Sequence, residues 1–291
     1  MKKNSFFITF ALLLYSNFIY AHDPKDISTV PSFIEIKLEH LDFKASKQKT
    51  DGNRATITLQ HQIDKHCLKG AYAVAGTHTK QPPLNKDLSV NTLYLLYTYH
   101  LSEQHLFNVG YITVQDNLVP TDGGRIYSLG YTYKLAKKTN LNLTGYYSHY
   151  DIFDAYQADL RYQQNNYING FMTSVIVEGK YINIQECQSP FCTNAQQDYF
   201  TPGIRLKAVK NGYFLHGGAY FGKRAFAVMN DGFMLQHHAM EFSQTYMLGI
   251  GKRWSDFAIK FRYLSQKAEE LPLKNSGVGV NNIAGTLMYY F

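Results

Sequence analysis

The side chains of this chain with chemistry to offer are mostly charges placed two residues apart. Asp159 and Arg161, Glu178 and Lys180, Arg205 and Lys207, and Lys260 and Arg262 all have this spacing, as do Glu35, Lys37 and Glu39. In an extended strand, residues i and i+2 share a face. Arg54, Lys69 and Lys134 fall at the same phase of their own alternating segments. Charges fixed on one face act through their field, by steering solute ions or by pairing with one another. Along an aqueous path, the excess of base favours anionic or neutral polar solutes. The competing reading is that Asp159 pairs with Arg161, and Glu35 with Lys37, to brace the structure.

Groupings suited to nucleophilic or metal chemistry are sparse. His100-Leu101-Ser102 is the His-x-Ser spacing of the chain, and it falls at an expected turn. His237-His238 stands near Glu241, and Asp231 approaches His237 across an expected hairpin, with no second pair to complete a hydrolytic site. No catalytic residue, metal site or cofactor is assigned. Cys187 and Cys192 flank Gln-Ser-Pro-Phe and are expected to close a small disulfide loop in an oxidising compartment; two free thiols are the other reading. Cys67 is expected to remain unpaired.

Export is read from the N-terminus. Lys2-Lys3, an apolar run over 6–14 and Ala21 before His22-Asp23-Pro24 have the anatomy of a signal peptide over 1–21, although Ile19 departs from the usual small residue. Its removal takes two lysines from a net charge of +7, leaving +5. No Lys/Arg cluster is dense enough for a nucleic-acid site. Tyr 24 and Phe 19 against Trp 1 give 15% aromatics, recurring in alternating segments.

The elements that must carry these residues are strands of period two. Residues 126–135 place Tyr127, Leu129, Tyr131, Tyr133 and Leu135 on one face, and Lys134 with small and polar residues on the other. Residues 257–263 and 54–60 repeat the pattern. Short links at 64–66, 102–104, 136–140, 164–166, 210–211 and 255–256 take turns with longer polar stretches at 44–53, 78–88, 115–124, 183–198, 223–239 and 266–280. The tight link near Asp151-Ile152 is the exception. About fourteen strands result, with twelve as the rival count because 33–77 alternates less cleanly. Within 223–239, Asn230-Asp231-Gly232 between two apolar runs predicts a protruding hairpin, folding over whatever opening lies beneath it. Residues 22–32 form a short tail, and 33–291 one domain.

The signal peptide, this strand rhythm and the terminal Gly285-Thr286-Leu287-Met288-Tyr289-Tyr290-Phe291 together resemble the outer-membrane β-barrels of Gram-negative bacteria. The resemblance covers the mature chain, is similar in size to the monomeric fourteen-stranded porins, and singles out no subfamily. It implies an all-β, transmembrane, antiparallel up-and-down barrel, with residues 22–32 in the periplasm. Phe291 would then be the signal read by the barrel-assembly machinery. The surroundings would be outer-membrane lipid and lipopolysaccharide. The expected function is a monomeric channel for passive diffusion of small hydrophilic, anion-leaning solutes. Lys37, Arg54, Lys134, Asp159, Arg161, Arg205, Lys207, Lys260 and Arg262 would face its lumen. A surface-interaction barrel of the adhesin kind, and an outer-membrane hydrolase, are the alternatives.

Overall fold

The computed structural model describes residues 31–80, 84, 86–118, 120–136, 138–185, 187, 189, 192, 194–236 and 239–291. The expected signal peptide, most of the tail, His237-His238 and the prolines at 82, 83 and 190 lie outside the described residues.

Eleven strands run consecutively from the N-terminus: β1 (Phe33–Lys44), β2 (Lys49–Ile63), β3 (His66–Thr79), β4 (Leu88–His100), β5 (His105–Asp116), β6 (Arg125–Ala136), β7 (Thr139–Tyr150), β8 (Phe153–Ile168), β9 (Phe171–Gln185), β10 (Asp198–Lys210) and β11 (Tyr213–Arg224). A two-stranded hairpin, β12 (Val228–Met229) and β13 (Met234–Leu235), interrupts the series before β14 (Met240–Arg253), β15 (Phe257–Glu270) and β16 (Asn275–Tyr290). Apart from that hairpin, each strand pairs antiparallel with its neighbours. β16 closes on β1, with Leu38 opposite Gly285 on one side and Ala55 on the other. The barrel thus has fourteen strands, and the rival count of twelve fails. Residues 33–77 form β1 to β3; their alternation is blurred because Leu41, Phe43 and Ala71 are apolar on the inward face.

The outward face is apolar. Leu38, Leu129, Leu160, Leu248, Phe261 and Ile283 are exposed around the wall, Leu129 by 66%. A continuous band of this kind is untenable in water and is what a hydrocarbon layer requires. Aromatics rim the band. Toward the long connections, Tyr111, Tyr127, Tyr147 and Tyr156 follow one another with centroids 5.4, 6.5 and 5.2 Å apart. Toward the short turns, Lys210 and Lys252 lie over Phe171 and Tyr213 at 4.5 and 4.3 Å. There the amphipathic rings and long basic stems bridge oil and water.

Turn chemistry corrects one expected boundary. The link at 164–166 is strand; β8 continues to Ile168 and turns at Asn169-Gly170, both at positive φ (50° and 78°). This is the tight Asn-Gly hairpin turn, repeated at Asn211-Gly212 (50° and 77°). The stretches 44–53 and 266–280 are also mostly strand, since β1–β2 and β15–β16 extend as tall hairpins. Polar composition does not distinguish a loop from a strand standing in water. Pro202 lies in β10, but pairing with β11 begins only at Gly203, so no ladder bond on that side is lost.

Candidate functional site

The hairpin does not protrude. It turns into the barrel, and this is the main correction to the sequence reading. Ala225, Phe226, Ala227 and Met229 are buried against Tyr150, Phe153, Ile182, Tyr199 and Tyr220 of the wall. Val228 and Leu235 pack on Ala71, Ala73, Val90, Tyr94, Ile112 and Tyr146. The inward face of β3 to β11 is apolar at this level, so the hairpin's own apolar run has a surface to dry. The Gln157 amide closes the free edge of β12, donating to the Val228 carbonyl (2.7 Å) and accepting from its N–H (2.8 Å). At the tip, Asp231 pairs with Arg161, Phe233 stacks on Tyr94 (5.9 Å), and Lys69 lies 4.0 Å over the Phe233 ring. Asn230, Asp231 and Gly232 all take positive φ (51°, 57° and 88°) to make the turn.

The outer connections knit over the hairpin. Cys187 and Cys192 are joined by a disulfide whose loop packs on the hairpin cluster. Asn194 donates to the Leu271 carbonyl (2.7 Å), and Glu270 accepts from Ser46, Lys47, Gln48 and Asn275 (2.5–3.1 Å). Just outside the wall, the backbone N–H of Thr79 and the His78 ring hold the Asp87 carboxyl below the usual carboxylate range.

Opposite the hairpin's dry contacts, the wall from β14 through β2 carries charge. Glu39 receives Lys37 (3.0 Å), Arg262 (2.6 Å) and, more distantly, Arg54 (4.0 Å). Lys260 pairs with Glu35 (3.3 Å). Across the lumen Glu178 receives Arg205 (2.9 Å) and the Tyr220 hydroxyl (2.6 Å), and Asp159 pairs with Lys180. The expected pairs Asp159–Arg161 and Glu35–Lys37 do not form: Asp159 takes Lys180 and Glu35 takes Lys260 from other strands, Arg161 takes Asp231 of the hairpin, and Lys37 takes Glu39 two residues along its own strand. The structure places all nine sequence-assigned lumen candidates on the inward face: Lys37, Arg54, Lys134, Asp159, Arg161, Arg205, Lys207, Lys260 and Arg262. Among the described residues, Lys134 and Lys207 form no ion pair. A gap of about 50 Å³ separates the hairpin's Met234, Leu235 and Gln236 from Glu39, Arg54 and Arg262.

Beneath the hairpin tip lies a larger polar cavity of about 280 Å³, bounded by Lys69, Thr98, Asn108, Ser128, Asn142, Arg161 and Asp231 among others. The hairpin covers the inward tyrosines Tyr94, Tyr146, Tyr150 and Tyr220, leaving them 2–6% exposed. His100-Leu101-Ser102 sits at the short-turn end, and Cys67 is free and buried on the inward face. Among the described residues no cluster of three or more His, Cys, Asp or Glu could hold a metal. Gln157 is the functional residue that sequence reasoning missed. Its signal was an amide at an inward position of β8, two residues before the Asp159-x-Arg161 pair.

No protein-family model matches the chain, and no curated protein matches it in sequence. Solved structures do match in shape. They include the toluene transporter TodX of P. putida (10% identity, TM-score 0.58, covering 90% of this chain and 91% of that one). A FadL homologue of Pseudomonas aeruginosa matches at 9% identity and a TM-score of 0.56, over 89% of this chain and 90% of that one. A bacterial polysaccharide outer membrane secretin matches at 8% and 0.55, over 90% and 100%. The chain has the fold of the bacterial outer-membrane β-barrels.

Proposed function

We propose that this protein is an outer-membrane channel for small hydrophilic solutes, with the hairpin of β12 and β13 as its internal constriction. The observation that carries the reading is the division of the lumen. The hairpin is pressed by dry contacts against β3 to β11, and the remaining wall presents Lys37, Arg54, Lys260 and Arg262. Around the constriction, the inward bases Lys37, Arg54, Lys69, Lys134, Arg161, Lys180, Arg205, Lys207, Lys260 and Arg262 outnumber the acids Glu35, Glu39, Asp159, Glu178 and Asp231. A field of that sign favours anions over cations in a narrow aqueous path.

Single-channel recording of the refolded protein under a salt gradient tests this. Discrete openings with a reversal potential on the anion side are expected. A folded barrel that stays silent, with and without its hairpin, ends the channel reading. The knitted outer roof, from the disulfide loop to Leu271, supports a second reading as a surface-interaction barrel, and the silent outcome would favour it.

A further inference from the structure

The cavity beneath the hairpin tip differs in character from the charged wall opposite. Its acids are neutralised, Asp231 by Arg161, Asp159 by Lys180, and Glu178 by Arg205. The Lys69 ammonium is turned onto the Phe233 ring. What remains to greet a solute is neutral. Thr98, Asn108 and Ser128 line the cavity on adjoining strands, and their side chains make no hydrogen bond among the described residues. Each is a group that both donates and accepts.

Two glycines make this surface. A Cβ on Gly130 would stand 2.4 Å from the Asn108 side chain, and one on Gly110 would stand 2.3 Å from the Ser128 hydroxyl. Without those carbons, both polar side chains lie flat across the neighbouring strand, and the cavity keeps its volume of about 280 Å³. That is room for several waters or one compact solute. A ligand matching paired, uncharged, dual donor–acceptor groups carries hydroxyls, since an ion would find its counter-charges already taken.

We infer that this cavity is a subsite for an uncharged polyhydroxylated solute of about monosaccharide size. The inference rests on the channel reading and names a solute class for it.

Saturation-transfer NMR on the detergent-folded full chain tests it, with D-glucose as probe and gluconate as its charged counterpart. A saturable glucose signal is expected, with gluconate weaker. The double variant Asn108→Leu/Ser128→Ala should bind glucose at least about tenfold more weakly, as loss of one to two hydrogen bonds implies. Gly130→Ala, which removes no polar group but displaces Asn108, should weaken it in the same direction. Heat-modifiable gel migration verifies that each variant is folded. No glucose signal, a stronger gluconate signal, or unchanged binding in both folded variants overturns the inference. Salt conductance in the same preparation separates the two readings. A conducting barrel without glucose binding sinks the subsite alone. A silent barrel that binds glucose sinks the channel and leaves the subsite standing.

Discussion

Val228 turns both backbone groups to the edge of β12 that faces away from β13, where the residue is only 1% exposed. Both of its backbone groups are satisfied by the Gln157 amide. A buried N–H or C=O left without a partner costs about 1–3 kcal/mol. Gln157→Leu keeps the bulk and removes both bonds, so it should loosen the hairpin without unfolding the barrel. Faster hydrogen exchange across 226–236, with strand amides unchanged, is the expected result; unchanged protection there would show that the apolar contacts alone hold the hairpin. The charged side chains follow the same logic of local satisfaction. Removing Arg205 or Lys260 takes one positive charge from beside Glu178 or Glu35 respectively, so each neutralisation makes the lumen more negative by one charge.

At the scale of elements, the hairpin of β12 and β13 is, among the described residues, the sheet that stands apart from the barrel wall. Its apolar residues bury against β3 to β11, and it leaves a gap of about 50 Å³ to the Glu39 cluster. Replacing 226–236 by a short Gly-Ser link should raise single-channel conductance several-fold while the barrel still migrates as folded. Conductance equal to that of the intact chain would mean that the limiting constriction lies elsewhere, in the knitted outer connections. Those connections also brace the rim, because Glu270 gathers the β1–β2 tip and Asn275 onto one carboxylate.

For the whole molecule, closure and charge are the relevant properties. The double variant Arg205→Gln/Lys260→Gln should move the reversal potential toward cations, since it takes two positive charges out of the lumen. No shift in a conducting variant would remove these residues from any role in selectivity. Phe291 ends the chain beside β1, its N–H donating to the Ser32 carbonyl (3.1 Å) and its ring stacked on His61 (6.4 Å). If the terminal aromatic is an assembly signal, Phe291→Ser should lower the amount of folded barrel in the outer membrane while leaving detergent refolding nearly unchanged. Equal losses in both settings would assign the ring to barrel closure instead.

The alternation of Leu129, Tyr131 and Tyr133 with Ser128, Gly130 and Thr132 was enough by itself to determine strands, their faces and an outward apolar band, because period two is a local property of the backbone. The fourteen-strand count followed from the rhythm of links, even though the β8–β9 turn was misplaced by several residues. The inward face of Arg54, Arg161 and Arg262 was legible for the same reason. Their partners were not. Asp159 meets Lys180 and Arg161 meets Asp231 because of strand stagger and an infolded loop, both set by contacts between residues far apart in the chain. The direction of the hairpin was likewise undetermined locally. An apolar run flanking Asn230-Asp231-Gly232 requires a surface to bury against. Only the closed barrel, with its inward ring of Tyr94, Tyr150 and Phe153, supplied one.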